Sequence, residues 1–372
     1  MNTRTIGIAS ALLALVLLGC QAPPAATPTM APTQTSQAPT EAPTVAPTSS
    51  PTASPTDEPT ASPTTEPTAS STVEPTASPQ AQFPRTVVDD EGTSVTIESE
   101  PQSIVSLTPA NTETLFALGA GDRLTGGTDF DDYPPEAAAA PDVVVQVEVL
   151  TEQIVDIDPD LILAGGNNFT PPAEIQRLRD LGFPVVVTYP ETVDEVLADI
   201  ELVGAAVGAD EEAATIVAAM EERIAQVTDA VADLPQPRVF YEIGYLPDIY
   251  GPADDSFTAD MVSLAGGEPI TTGDPVSFVI PLERLVDEDP EIIVLGDAAY
   301  GVCPDSVAER PGWDEMTAVA NDAIVPVDDI IVTRPAPRLG EGLAALALAI
   351  HPDADLAPPT AGTSYCEVPA TP

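Results

Sequence analysis

Lysine is missing from this chain: its 11 basic residues are all arginine, set against 60 acidic ones, for a formal net charge of −49. That absence removes lysine Schiff-base chemistry and the Gly-Lys-Ser/Thr phosphate loop. The charge balance also opposes nucleic-acid binding, which draws its affinity from basic surface and counterion release. Histidine is nearly absent too. His351, the only one, lies next to Pro352 near the chain end and reads as a surface residue. Clustered-histidine metal sites are therefore excluded, and a Ser-His-Asp triad has only His351 to draw on. No Gly-x-Ser-x-Gly elbow occurs, so the chain does not read as an enzyme. Aromatics make up only 4% of residues, so those in predicted strand-end loops stand out. No resident cofactor or metal site is expected.

The longest apolar stretch without a charge, Ile6 to Leu18 behind Arg4, is too short for a typical spanning helix and reads as a secretory signal. It ends in Leu17-Leu18-Gly19-Cys20. This resembles the bacterial lipoprotein signal, which implies that Cys20 becomes a lipid-bearing N-terminus. Burial of the acyl chains, at about 0.8 kcal/mol per methylene, would hold the protein at a membrane. From Gln21 to about Gln82 the chain is almost entirely Pro, Thr, Ala and Ser, with proline at every fourth position from Pro39 to Pro67. Such a segment has no apolar core to bury and reads as an extended spacer. At about 3.1 Å per residue its reach approaches roughly 190 Å.

About 290 residues follow, enough for two lobes. Short apolar runs alternate with helical spacing, the pattern of a doubly wound α/β fold. Strands are predicted at 104–107, 161–164 and 185–188, with helices through Leu115 and Leu118 and through Ile175 and Leu178. Ligands in such folds bind beyond the carboxyl ends of the strands, which places Asn111, Asn167 and Tyr189 at a cleft. Glu152 to Leu163 is echoed by Glu283 to Val294: a short helix, an Asp-Pro stop, then a buried strand. One unit repeated about 130 residues apart points to two similar lobes. Between them the apolar positions Ala213, Val217, Met220, Ile224, Val227 and Val231 keep helical spacing, with Asp210 read as the N-cap and Pro235 beyond the end. The two cysteines after Cys20, Cys303 and Cys366, suggest a disulfide in an exported body, pinning the tail to the second lobe.

Three segments resemble one family. Ser106-Leu107-Thr108-Pro109-Ala110-Asn111-Thr112-Glu113, Phe130-Asp131-Asp132-Tyr133-Pro134-Pro135 and Arg334-Pro335-Ala336-Pro337-Arg338, with Arg310-Pro311-Gly312-Trp313, are similar to class III substrate-binding proteins of ABC importers, nearest their cobalamin-binding members. The resemblance covers about Phe83 to Pro352. It implies two Rossmann-like lobes joined by one long α-helix, a class III periplasmic-binding-protein fold. The expected organisation is a signal peptide over 1–19, a lipid-anchored linker over 20–82, an N-terminal lobe over 83–209, the joining helix over 210–234, a C-terminal lobe over 235–352 and a tail over 353–372.

The resemblance implies capture of cobalamin or a related corrinoid between the lobes and delivery to permease subunits, by a monomer outside the cytoplasm. A ferric siderophore or haem is the alternative ligand. Expected contacts are Asn111, Phe130, Asp131, Tyr133, Asn167, Phe169, Tyr245, Tyr250, Phe278 and Arg334. Phe169 stands near the place of a family tryptophan, as does Ser277 or Phe278 in the second lobe. Arginine is conspicuous in so acidic a chain and suits polar oxygens, with pairing of Arg334 or Arg338 to Asp328, Asp329 or Glu341 as the alternative role. Glu283 matches the family's second-lobe glutamate that docks on the permease; Glu174 or Glu152 is its first-lobe counterpart.

Overall fold

The computed structural model describes residues 83–166 and 169–366. Cys20, the spacer and Asn167 lie outside the described residues.

The body starts with an antiparallel hairpin, β1 (Arg85–Val88) and β2 (Ser94–Ile97). Alternate residues of both strands are buried, as expected of a ribbon with one covered face. The first lobe continues through β3 (Ile104–Ser106), α1 (Pro109–Ala117), β4 (Leu124–Thr128), β5 (Asp142–Val145), β6 (Glu148–Val149), α2 (Thr151–Ile157), β7 (Leu161–Gly165), α3 (Pro172–Asp180), β8 (Val185–Thr188) and α4 (Val193–Val207). Its sheet has the order β6-β5-β4-β3-β7-β8 among the described residues, parallel except for β6. The strands β3, β7 and β8 are buried throughout. That is why they read in the sequence as unbroken apolar runs rather than as alternation.

The joining helix α5 (Asp210–Val231) spans 22 residues, about 33 Å at 1.5 Å per residue. Its N-cap is Ala209, not Asp210. Asp210 is instead the first helical residue, where its carboxylate meets the positive helix end and pairs with Arg85 at 2.9 Å.

The second lobe contains β9 (Arg238–Glu242), β10 (Gly244–Tyr245), β11 (Ile249–Tyr250), α6 (Phe257–Leu264), β12 (Glu268–Pro269), α7 (Leu282–Glu288), β13 (Ile292–Leu295), α8 (Pro304–Ala308), α9 (Thr317–Ala320), β14 (Ile324–Pro326), α10 (Asp329–Thr333) and α11 (Leu339–Ile350). Its parallel sheet runs β12-β9-β13-β14, with β10 and β11 as a separate small ribbon.

The repeated unit is structural. Helices α2 and α7 each end on an aspartate in the left-handed region, Asp158 (φ 53°) and Asp289 (φ 47°). Pro159 and Pro290 follow, and the chain then enters β7 or β13. The proline forbids further helix, and aspartate tolerates the left-handed turn better than most side chains.

One apolar cluster joins the lobes. It runs from Ile104, Leu115 and Leu163 through Val196 and Val203 of α4 and Val217, Met220 and Val227 of α5 to Leu343, Leu346 and Ile350 of α11. Close helix approach makes this possible: a Cβ on Gly204 would stand 2.5 Å from that of Ala213. The two lobes thus share a continuous packed core through α5, which resists large hinge motion. His351 is not a plain surface residue; half-buried, its ring Nε2 lies 3.1 Å from the Gly266 carbonyl and ties the end of α11 to the turn before β12.

Cys303 and Cys366 form a disulfide with Cα atoms 5.6 Å apart and a sequence separation of 63. A loop of this length gives about 4 kcal/mol of stabilisation on the chain-entropy account. The tail it secures donates the Thr363 N–H to Asp328 at 2.7 Å. Asp328 caps α10 by accepting the Ile330 N–H. The disulfide, the tail and α10 therefore form one braced unit.

Candidate functional site

A cavity of about 1200 Å³ lies between the lobes, larger than the roughly 300–1,000 Å³ usual for drug-sized ligands. A second, more open depression of about 880 Å³ lies against β2, the turn before β7 and the end of α3. Phe183 is the only aromatic lining it among the described residues, so the interlobe cavity is the better site for a large ligand.

The first-lobe wall is made by strand ends. Thr108 caps α1, its hydroxyl facing the Asn111 N–H, and Asn111 is pinned in turn: its amide donates to the Ala164 carbonyl at 3.3 Å and accepts from the Thr188 hydroxyl at 3.1 Å. After β7, the chain turns through Gly165-Gly166. A Cβ on Gly165 would lie 3.0 Å from Phe169 Cβ, and one on Gly166 would lie 2.7 Å from Tyr189 Cβ. The glycines thus leave room for two aromatic side chains at the cavity, Phe169 and Tyr189. The second-lobe wall includes a tight loop in which Asp274 accepts the N–H groups of Val276 and Ser277 at 2.9 and 3.1 Å. That loop carries Val276 and Phe278 into the cavity lining, beside Phe257 of α6. Phe169 and Phe278 are 75% and 46% exposed, a degree of uncovered aromatic surface that marks a binding cleft more than a packed core.

The charged part of the lining is mainly acidic. Glu191, Asp199, Asp254, Asp255 and Asp329 line the cavity, and Arg334 is the one basic residue among the described lining residues. Asp199 is buried, and its Oδ2 has no hydrogen-bond donor among the described residues. Burial and the neighbouring carboxylate of Asp90 push its pKa up to about 9, with Glu195 adding to the shift. It therefore carries a proton at neutral pH. Asp329 is also raised by burial, although it accepts a 2.7 Å hydrogen bond from the Tyr241 hydroxyl.

At one end of the cleft an ionic network crosses between lobes. Arg334, at the end of α10, places Nη1 2.7 Å from Asp132 and 3.6 Å from Glu113. Arg338 grips the buried Glu113 carboxylate through Nε at 2.9 Å and Nη2 at 2.7 Å, and its guanidinium lies 3.7 Å from the Tyr133 ring centre. Burial opposes the Arg338 charge, but the Glu113 carboxylate outweighs it and raises the pKa. A second crossing contact is the Val193 N–H, which donates to Asp260 of α6 at 3.2 Å.

Among the predicted contacts, the cavity brings together Asn111, Phe169, Phe278 and Arg334. It does not include Phe130, Asp131, Tyr133, Tyr245 or Tyr250 in its lining. Asp131 is buried and engaged within its own loop, accepting from the Thr128 N–H, the Thr128 hydroxyl and the Thr112 hydroxyl at 2.8 to 3.0 Å. Phe130, 56% exposed, follows from that loop, and Tyr133 packs on Arg338. Tyr245 lies 3.8 Å below the Arg310 guanidinium and edge-on to Trp313. It helps hold the Arg310–Glu242 pair buried in the second lobe. Tyr250 pairs with Gly244 in the small ribbon. The alternative partners expected for the arginines are not used: Arg334 and Arg338 reach across the cleft, while Glu341 pairs with Arg223 of α5. Sequence reasoning missed Glu113, Asp199 and Phe257 as site residues. Only the position of Glu113 on α1, just after β3, offered a signal.

Residues 104–330 match the periplasmic binding protein family. The chain belongs to the periplasmic binding protein family. It is 34% identical over 276 residues to an uncharacterised ABC transporter substrate-binding lipoprotein, YvrC, of Bacillus subtilis, covering 73% of this chain and 87% of that one. It is 31% identical over 287 residues to a cobalamin-binding protein of Halobacterium salinarum, covering 72% and 74%. Two crystal structures share the fold: the vitamin B12 binding protein BtuF of Vibrio cholerae (26% identity, TM-score 0.61, 68% of this chain and 97% of that one), and a possible iron-binding periplasmic solute-binding protein of Staphylococcus epidermidis (27%, 0.60, 68% and 100%).

In this periplasmic binding protein the repeat places Glu152 and Glu283 equivalently, each exposed in the first turn of its helix, α2 or α7. Glu174 starts α3 close by: it accepts from the Thr151 hydroxyl at 2.9 Å and pairs with Arg177 at 3.5 Å. Glu174 is thus partly engaged, and Glu152 is the more available of the two. No helix among the described residues is long and apolar enough to cross a membrane.

Proposed function

We propose that this chain is the extracytoplasmic binding lipoprotein of an ABC importer, and that it holds one cobalamin or related corrinoid between its lobes. The observation that carries the ligand reading is the cavity itself: aromatic faces from both lobes, Phe169 and Phe278, with a lining whose charged residues are mainly acidic. A corrinoid has a broad apolar face and a rim of neutral amides. Its face suits the exposed rings, and its amide N–H groups suit carboxylate acceptors. Anionic siderophores or haem propionates would meet Glu191, Asp254 and Asp255 at a cost, which Arg334, the one basic residue of the described lining, offsets only in part. Cobalamin in the name of a relative supports the same reading. Anchoring through Cys20 fits a relative named as a lipoprotein, and Glu283 with Glu152 would present the two docking carboxylates to the permease.

Protein extracted with detergent from the membranes of its native host tests both halves of this reading. The absorption spectrum should be that of a corrinoid, and Cys20→Ser should move the protein out of the membrane fraction. A haem or ferric-siderophore spectrum would replace the ligand, and wild-type protein found correctly cleaved yet soluble would remove the anchor.

A further inference from the structure

Arg334 and Arg338 stand four residues apart on the second lobe and reach the same patch of the first, but they are held in different ways. Glu113 is 2% exposed. Its carboxylate accepts the Arg338 backbone N–H at 3.3 Å as well as the two guanidinium bonds at 2.9 and 2.7 Å. Withdrawing Arg338 would leave a buried carboxylate without its main partner, which is strongly unfavourable. Tyr133 closes the opposite face of the same guanidinium at 3.7 Å. Arg334 is different. Its short contact is with Asp132, whose side chain is 49% exposed, and Glu113 is 3.6 Å away. An ion pair with so exposed a partner is weak and easily exchanged. Arg334 lines the interlobe cavity, whereas Asp132 does not.

We propose that the two pairs are the fixed and the exchangeable halves of one cross-cleft clamp. Glu113 and Arg338 hold the lobes in register. Asp132 is an internal competitor that occupies Arg334 until a ligand oxygen replaces it. The competitor half rests on the reading of the cavity as a ligand site; the clamp half does not. Glu113 acts as a positioning residue, because its buried carboxylate fixes the segment on which Arg334 is carried. The ligand group that displaces Asp132 is a neutral hydrogen-bond acceptor such as an amide carbonyl, since an Arg334 freed from Asp132 remains the one cation among the described lining residues, whose other charged members are acidic.

Cyanocobalamin titrations of the full-length protein test the competitor. Asp132→Asn should bind about twofold to fivefold more tightly, the range expected on removing one exposed ion pair. In an Arg334→Ala background Asp132→Asn should give no gain, because there is then no guanidinium to release. Equal or weaker binding by Asp132→Asn in the wild-type background, or an undiminished gain without Arg334, would overturn the competitor. The clamp is tested without ligand by the distance between spin labels at Asp156→Cys and Asp287→Cys. Glu113→Gln should broaden that distribution and Asp132→Asn should leave it unchanged; an unchanged distribution in Glu113→Gln would overturn the clamp. If wild-type protein binds no corrinoid, the ligand reading and the competitor fall together, and the label distances still decide the clamp.

Discussion

Asp199 shows how burial turns an acid into a neutral group in a chain with carboxylates to spare. With Asp90 and Glu195 nearby and its pKa near 9, it stays protonated in the folded state at a pH where the unfolded chain has released the proton. Folding therefore binds a proton between about pH 4 and pH 9, and the stability this group contributes falls as pH rises through that window. Asp199→Asn removes the penalty while keeping an amide that can donate to Asp90. Urea unfolding at pH 5 and pH 8 should show the variant gaining on wild type as pH rises, by at most about 1.4 kcal/mol per pH unit. A difference between variant and wild type that does not change with pH would show that Asp199 is ionised in the fold.

At the scale of elements, the sequence carried much of the architecture. The strands at β3, β7 and β8 were legible because sheets covered on both faces demand unbroken apolar runs, and the repeat was legible because Asp-Pro punctuates both copies. Less of the cleft was legible. Asn111, Phe169 and Phe278 could be placed at the cleft because strand-end position and residue type both pointed there, and Arg334 because its segment resembles the family's. Glu113 had only its place on α1, just after β3, to mark it, and Asp199 had nothing, since among 60 acidic residues composition does not say which will be buried. The Arg334–Asp132 contact joins residues 202 apart and exists only once the lobes are assembled. Tyr245 shares its residue type and loop context with a ligand-facing aromatic, and only the fold turns it toward Arg310 and Trp313.

The repeated helix-strand units also make a prediction at this scale. Glu283 and Glu152 sit on exposed first turns of α7 and α2, away from the cavity lining. Glu283→Ala and Glu152→Ala should leave corrinoid affinity within about twofold of wild type and lower uptake in cells, because exposed charges act on partner encounter and orientation. A tenfold loss of ligand affinity in either variant would place that glutamate on the wrong surface.

The body described by residues 83–366 is two lobes on a shared core. The apolar cluster through α4, α5 and α11 makes the lobe connection stiff, and the Asp260–Val193 contact and the arginine network bridge the lobes at two further places. A receptor built this way meets its ligand with little rearrangement, so more of the contact energy remains as affinity. Titration calorimetry with cyanocobalamin, cobinamide and a panel of ferric siderophores tests the central claim, a corrinoid held between the lobes, most directly. The account predicts one corrinoid per chain, with Phe169→Ala and Phe278→Ala each weakening binding about tenfold through lost apolar contact. Tight binding of a siderophore with no binding of either corrinoid would contradict it.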